Sequence, residues 1–169
     1  MKYVALLRGI NVGSANQVAM TDLVRAFDKY TDVATHLRSG NVVFAAASFT
    51  PSALIALEDD IATATGVQAR VLVLSGADFT AIAAANPLLD VATDPSRLIT
   101  TFLEAPKPGV SVPPALDPER MVLTDTAIYQ WCPDGVSKSK VPPAFWRKVG
   151  PIATARNQRT VEKLLTMLA

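Results

Sequence analysis

Cysteine and histidine are almost absent from this 169-residue sequence, which has one of each. Because Cys132 has no second thiol to pair with, an intramolecular disulfide and a cysteine-based zinc cage are excluded. A Ser-His-Asp triad and a histidine-rich metal site have little support, because His36 has no acidic residue beside it. We therefore expect no metal and no cofactor, and the sequence identifies no catalytic residue.

Long hydrophobic runs are also missing. The apolar N-terminal segment is broken by Arg8 and Gly9 before it reaches the length of a signal peptide. No stretch approaches the roughly 18 apolar residues of a membrane span. Together with the single thiol, these absences predict a cytoplasmic protein that has no membrane association.

The small net charge of +1 hides an asymmetry along the chain. Residues 135–169 contain seven basic residues and one acidic residue, whereas residues 1–134 contain nine basic and fourteen acidic residues. A basic segment of this kind can bind nucleic acid or another polyanion. It can equally be the solvated surface of a helix, and composition does not decide between the two.

Hydrophobic periodicity and turn residues predict the element order βαββαβ in the first half. The expected strands cover 2–7, 32–38, 41–46 and 69–74. The expected helices begin with caps at Thr21, Thr50 and Ser75, and Gly66 should end the second helix in the left-handed conformation. The glycine at position 40 is typical of a tight hairpin, which argues against a doubly wound parallel sheet. This order is the split βαβ pattern, so we predict an α+β chain whose residues 1–86 form a ferredoxin-like domain.

Residues 87–96 indicate a connector, and residues 97–169 a smaller α+β subdomain. Its expected elements are a strand at 97–103, a hairpin from 121–124 and 127–131, a short helix at 144–148 and a final helix at 154–168. Residues 105–118 contain five of the twelve prolines in the chain. A helix or central strand is excluded there, so we expect a surface excursion.

Two polar, glycine-containing loops should meet at one end of the predicted sheet, because strand three lies antiparallel to strand one. Their candidate ligand-binding residues are Arg8, Gly9, Asn11, Gly13, Ser39, Gly40 and Asn41. Exposed backbone N–H groups beside guanidinium groups can hold an anion, of which phosphate is the commonest biological example. Alternatively, the glycines only turn the chain and the asparagines bond to their own turns.

The predicted final helix supplies a further candidate. At 100° per residue Asn157 falls on its buried side, whereas Arg156, Arg159 and Lys163 point away. A helix N-terminus carries unpaired N–H groups and a partial positive charge. We therefore predict that Arg156 and Asn157 complete one pocket with Arg8 and Asn11.

The motifs LLRGINVGS, RSGNVVF, SKSK and ATARNQRTVEKL span nearly the whole chain. With them, the sequence resembles the bacterial domain-of-unknown-function 1697 family, which implies a fold and a site but no activity. The resemblance adds Ser139, Lys140 and Thr160 to the predicted ligand-binding residues. Two departures lie beside the first loop, where Ala15 and Gln17 stand in place of the usual lysines. The other departures are Ser14, Ala155, Gln158 and Arg159.

Three classes of function remain open. The first is a protein that binds a phosphate-bearing ligand, either a nucleotide or nucleic acid, at the two loops. The second is an enzyme for a small polar substrate at the same place, with Arg8 or Arg156 stabilising charge and Ser39 or Ser139 as nucleophile. The third is a structural or partner-binding protein. The sequence does not give the oligomeric state.

Overall fold

The computed structural model describes residues 1–169, which form five α-helices, two short 3₁₀ helices and eight strands. In chain order the elements are β1 (Lys2–Arg8), α1 (Met20–Arg25), β2 (Thr31–His36), β3 (Asn41–Ala45), α2 (Pro51–Thr65), β4 (Arg70–Ser75), α3 (Gly76–Ala84), β5 (Leu98–Phe102), β6 (Arg120–Leu123), β7 (Ala127–Trp131), α4 (Pro143–Val149), β8 (Thr154–Asn157) and α5 (Gln158–Leu168). The chain divides into two compact units, Met1–Thr80 with Lys163–Ala169, and Ala81–Glu162. No helix has the length and apolar character needed to cross a membrane.

The first unit contains a four-stranded sheet with the order β2-β3-β1-β4. Strand β3 pairs antiparallel with both β1 and β2, so β1 and β2 are parallel to each other and flank it. Strand β4 adds to the other side of β1, again antiparallel. This topology confirms the predicted ferredoxin-like α+β fold.

Local capping chemistry explains where the helices of this unit begin and end. The Thr50 hydroxyl accepts a hydrogen bond from the Ala53 N–H at 3.2 Å, and Gly66 closes α2 in the left-handed region at φ +74°. At α3 the Ser75 hydroxyl accepts from the Asp78 N–H at 3.0 Å. The predicted cap at Thr21 is wrong, because α1 starts one residue earlier and its N-cap, Ala19, has no side chain that could accept.

Both faces of the central strands β1 and β3 of the first sheet are buried. Alternate β1 residues, including Ala5 and Leu7, pack in one core with Leu57 and Ile61 of α2. The intervening residues Val4 and Leu6 lie on the opposite face, and each is 0% exposed. The broad sheet surface that RNA-recognition domains of this topology leave open for base stacking is therefore closed in this chain.

The second unit contains an antiparallel sheet with the order β6-β7-β5-β8. The predicted β6–β7 hairpin is confirmed, with the Thr124 hydroxyl accepting from the Ala127 N–H at 3.0 Å. The proline-rich segment between β5 and β6 contains no helix or strand, as its composition predicts. A separate core joins Met121 and Ile128 of this hairpin to Phe145 and Val149 of α4.

The start of the final helix differs from the prediction. Residues 154–157 form strand β8, and α5 begins only at Gln158. Burial alternates along the start of β8, because the strand pairs with β5 and places Thr100 opposite Arg156. Arg156 is therefore only 9% exposed, and the expectation that it faces solvent is wrong. Arg159 and Lys163 are exposed, as predicted.

Asn157 is half-buried at the junction of β8 and α5, where its side-chain oxygen accepts from the Thr160 N–H at 3.0 Å. This contact is an N-cap, since it satisfies one of the N–H groups that a helix leaves unpaired in its first turn. We expect Asn157→Ala to lower the free energy of unfolding by about 1 kcal/mol in urea denaturation. Lys163→Ala, an exposed change in the same helix, should alter it by less than about 0.5 kcal/mol. Equal stabilities of the two variants would contradict the capping role.

Candidate functional site

The two predicted loops meet at one end of the first sheet. Asn41, the first residue of β3, pairs with Leu6 of β1, and the Leu7 N–H donates to the Gly40 carbonyl at 2.9 Å. Arg8 follows directly as the last residue of β1. The predicted meeting of residues 8–14 with residues 38–41 is therefore confirmed.

Close approach at this junction requires a glycine. Gly40 has φ +90°, and a Cβ added to it would lie 2.7 Å from the Leu7 Cβ and 2.9 Å from the Ile10 Cδ1. Real Cβ atoms do not come this close to neighbouring carbons, so no side chain fits without moving β1 or the loop after it. The backbone of the turn at Gly40 is thus packed directly against the side chains of Leu7 and Ile10.

Asn11 joins the two loops through both ends of its amide. Its nitrogen donates to the Arg38 carbonyl at 2.7 Å and to the Val18 carbonyl at 3.1 Å. Its oxygen accepts from the Val18 N–H at 2.8 Å. These contacts use the amide inside the protein, which is the turn-forming role that the sequence left as an alternative.

The other asparagines and Gln17 also bond within the cluster. The buried Asn41 amide donates to the His36 carbonyl at 2.7 Å and to the Ser39 hydroxyl at 3.1 Å. Asn16 donates to the Gly9 carbonyl at 3.0 Å, and Gln17 donates to the Gly13 carbonyl at 2.7 Å. The loops are therefore held in one conformation by their own side-chain amides.

Three arginines stand at this end of the sheet: Arg8, Arg38 and Arg70, here called the arginine edge. Arg70 begins β4 and lies directly opposite Arg8 in the antiparallel ladder. All three are exposed, and the side chain of Arg70 makes no hydrogen bond or ion pair. Arg38 has only neutral acceptors, chiefly the Gln17 side-chain oxygen at 2.9 Å.

Arg70 and Gln17 were not among the predicted site residues. The signal for Arg70 was present, because in the predicted fold β4 runs antiparallel beside β1, which brings the start of β4 to the same end of the sheet as the end of β1. Gln17 appeared only as a departure from the family pattern. Its role depends on a contact with Arg38, 21 residues away, which the local pattern does not contain.

Ser139 and Lys140 lie in the second unit. The Ser139 hydroxyl donates to the Glu119 carboxylate at 2.6 Å, and the Lys140 N–H donates to the same carboxylate at 2.8 Å. Gln130 also donates to Glu119, and the Lys140 ammonium group donates to the Asp117 carbonyl at 2.6 Å. The serine-lysine pair thus fixes a buried carboxylate, and its ligand-binding role stays a prediction.

Hydrogen bonding keeps Glu119 charged in a buried position. Burial pushes the pKa of this carboxyl upward, but donors at Ser139, Lys140 and Gln130 outweigh it and hold the pKa below its usual value. Cys132 lies 3.7 Å from the same carboxylate. Burial and the Glu119 charge raise the pKa of the Cys132 thiol to about 12, so it is protonated and unreactive as a nucleophile at neutral pH.

Of the C-terminal motif, Arg156 lies buried in β8, while Asn157 and Thr160 form the cap of α5. Burial lowers the pKa of Arg156 to about 10, which leaves its guanidinium protonated at neutral pH. The predicted pocket that combines Arg156 and Asn157 with Arg8 and Asn11 stays a prediction.

Comparison with known proteins gives a family and a fold. A model of the family described as "Protein of unknown function (DUF1697)" matches residues 1–129. A search of curated proteins finds no match. The solved structure of a conserved bacterial protein, SP0830 from Streptococcus pneumoniae, has a TM-score of 0.71 and 23% sequence identity. That similarity covers 99% of this chain and 98% of the other, and at this identity it shows the fold alone.

Gly40 provides a test of the junction between the two loops. We expect Gly40→Ala to lower the free energy of unfolding by about 3 kcal/mol, because it adds backbone strain at positive φ and overpacks Leu7 and Ile10. Gly66→Ala is the matched control, since Gly66 has φ +74° but open space where the Cβ would lie. It should cost about 1 kcal/mol. Equal losses in urea denaturation would show that the close approach contributes nothing.

Glu119 provides a test in the second unit. We expect Glu119→Gln to cost about 3 kcal/mol at pH 7, because the amide nitrogen cannot accept the donors that surround the carboxylate. A lowered folded-state pKa stabilises the protein above the unfolded pKa, near 4.5, and this contribution disappears as the pH falls through the folded-state value.

The difference between wild type and Glu119→Gln should therefore shrink below about pH 4.5. Glu104→Gln, at an exposed position, serves as the control and should leave the pH dependence of unfolding unchanged. A constant difference between wild type and Glu119→Gln from pH 7 to pH 3 would rule out stabilisation by the ionised carboxylate.

Proposed function

Because the chain belongs to the DUF1697 family, which is described only as of unknown function, we propose from its geometry that it binds a phosphate-bearing ligand at the arginine edge. The observation that carries this proposal is the pairing of Arg8 with Arg70 across β1 and β4. Like charges directly opposite each other in a ladder destabilise a sheet. An anion bound between them would turn that repulsion into attraction.

Arg38 completes the charge of the edge. It lies in the turn that leads into β3, and β3 and β4 are separated only by β1. Adjacent strands are about 4.8 Å apart, so a guanidinium from each side can reach one phosphate group. Arginine suits this task because its planar fork donates two parallel hydrogen bonds to phosphate oxygens.

The surrounding loops support binding by preorganisation. Asn11 and Gln17 hold the backbone and the Arg38 side chain through hydrogen bonds, so less order has to be gained when a ligand arrives. The Gln17 oxygen is a neutral acceptor. It orients Arg38 without cancelling its charge, whereas a carboxylate in the same place would compete with a phosphate.

One further observation favours a small ligand over a nucleic acid, and another favours ligand binding over catalysis at Ser139. The sheet surface that could carry an RNA strand is buried, so a nucleic acid would be limited to the edge itself. The proposed nucleophile Ser139 donates to Glu119 beside a cavity of about 10 Å³. That volume holds about one water molecule, so it offers little room for a substrate beside this hydroxyl.

Calorimetric titration with inorganic pyrophosphate and tripolyphosphate tests the proposal. We expect Arg8→Gln and Arg70→Gln each to weaken binding at least about tenfold, because each removes a charged donor to phosphate. Arg25→Gln is the matched control, since it removes the same charge from an exposed residue of α1 that is paired with Asp22. Wild-type affinity should fall as salt rises.

If neither polyphosphate binds the wild-type protein, or if the Arg8 and Arg70 variants bind as tightly as Arg25→Gln, the proposal fails. Equal weakening in all three variants would also contradict it, because it would show that the ligand responds to net charge and not to the arginine edge.

A further inference from the structure

Two exposed aliphatic side chains flank the arginine edge. Val12 is 67% exposed at the tip of the first loop, and Leu37 is 56% exposed in the turn before Arg38. Asn11 donates to the Arg38 carbonyl at 2.7 Å, so Val12 and Leu37 are each one residue away from this contact. Apolar surface and positive charge therefore occupy the same end of the sheet.

Leu37 is unfavourable in two ways. It has φ +60°, a left-handed conformation that favours glycine and asparagine and strains other residues. It also leaves a large apolar side chain in water, where it contributes little burial. Backbone strain of this kind concentrates at binding sites, where the surrounding structure holds it in place. The hydrogen bond from the Asn41 side chain to the His36 carbonyl and the close packing of Gly40 fix the turn that contains it.

From this juxtaposition we propose that the ligand of the arginine edge is a nucleoside phosphate, whose base packs against Val12 and Leu37 while its phosphates bind the arginines. This inference rests on the proposed phosphate binding and adds the chemical class of the ligand. A base offers a flat, largely apolar face for aliphatic side chains. A bare phosphate would leave both aliphatic residues in water.

The positive charge of the arginine edge argues against a neutral apolar ligand. Arg38 and Arg70 have no carboxylate partner, so an occupant that covers Val12 and Leu37 also meets positive charge. A neutral apolar molecule would bury these guanidinium groups without compensation, which is costly. A nucleoside phosphate supplies the base and the negative charge in one molecule of small size.

The experiment compares ATP and UTP with tripolyphosphate on the full chain by calorimetric titration. We expect wild type to bind both nucleotides at least about tenfold more tightly than tripolyphosphate, with ATP ahead because adenine has the larger face. Leu37→Asn and Val12→Ser should each weaken nucleotide binding about threefold to tenfold and leave tripolyphosphate binding unchanged. Ile55→Gln removes a 65% exposed aliphatic side chain from α2 and should change neither.

Leu37→Asn has a second expected effect that separates this role from a structural one. Asparagine tolerates the left-handed conformation, so the variant should unfold at a temperature about 3 °C higher than wild type while binding nucleotide more weakly. A lower unfolding temperature would show that Leu37 is a packing residue and would overturn the inference.

The two proposals fail in different ways. Equal affinity for tripolyphosphate and nucleotides, with no effect of Leu37→Asn or Val12→Ser, would overturn the nucleoside phosphate and leave the phosphate site standing. Absence of binding by all three probes would overturn both. Nucleotide binding that is unaffected by Arg8→Gln and Arg70→Gln would place the nucleotide elsewhere and would also overturn the inference.

Discussion

The turn between β2 and β3 lies against β1 so closely that position 40 has no room for a Cβ atom. This approach sets the pairing of β3 with β1, since the Leu7 N–H reaches the Gly40 carbonyl and Asn41 then falls opposite Leu6. The central strand pair of the sheet follows from that register, and β4 adds to the remaining side of β1. The position of Arg8 beside the turn is therefore a consequence of one backbone contact, and the separate register of β4 with β1 places Arg70 opposite Arg8.

The polar residues at this end of the sheet form two groups, amides that stabilise the loops and arginines that carry exposed positive charge. The amides of Asn11, Asn16 and Asn41 bond to backbone groups of the loops, so they stabilise the scaffold and are not available in the same geometry for a ligand. The guanidinium groups of the arginine edge form the exposed charged surface that the proposed ligand would meet. A loop built from asparagine and glycine thus indicates rigidity, and the binding chemistry has to be sought in the cations that the rigid loop positions.

Sequence reasoning recovered the features that depend on local chemistry. The caps at Thr50 and Ser75, the left-handed Gly66 and the hairpin glycine are each decided within a few residues, and from them the ferredoxin-like order followed. Features that depend on distant partners were missed. Residues 154–157 directly precede helix α5 but form a strand because they pair with the edge of β5, and no local pattern reports the presence of that edge.

The candidate site shows the same division. The meeting of the two loops was predictable, because strand direction alone places them at one end of the sheet. The contact of Asn11 with the Arg38 carbonyl and the Ser139–Glu119 contact were not, since each joins residues about 20 or more positions apart. The serine-lysine motif in the sequence suggested a ligand site. In the structure, the Ser139 hydroxyl and the Lys140 N–H donate to the buried Glu119 carboxylate, which directly precedes the hairpin β6–β7.

Gln17 shows how one departure from the family pattern lowers the positive charge at the arginine edge while it fixes the side chain of Arg38. A lysine, as the family resemblance leads one to expect at this position, would add a positive charge but would have no atom able to accept from Arg38. Repulsion would then direct the two side chains apart. Glutamine gives up that charge and accepts from Arg38 at 2.9 Å while donating to the Gly13 carbonyl, so one side chain links the first loop to the turn. In this chain the edge therefore has fewer cations that are better positioned, which suits the proposed ligand, because a nucleoside phosphate would be recognised by shape as well as by charge.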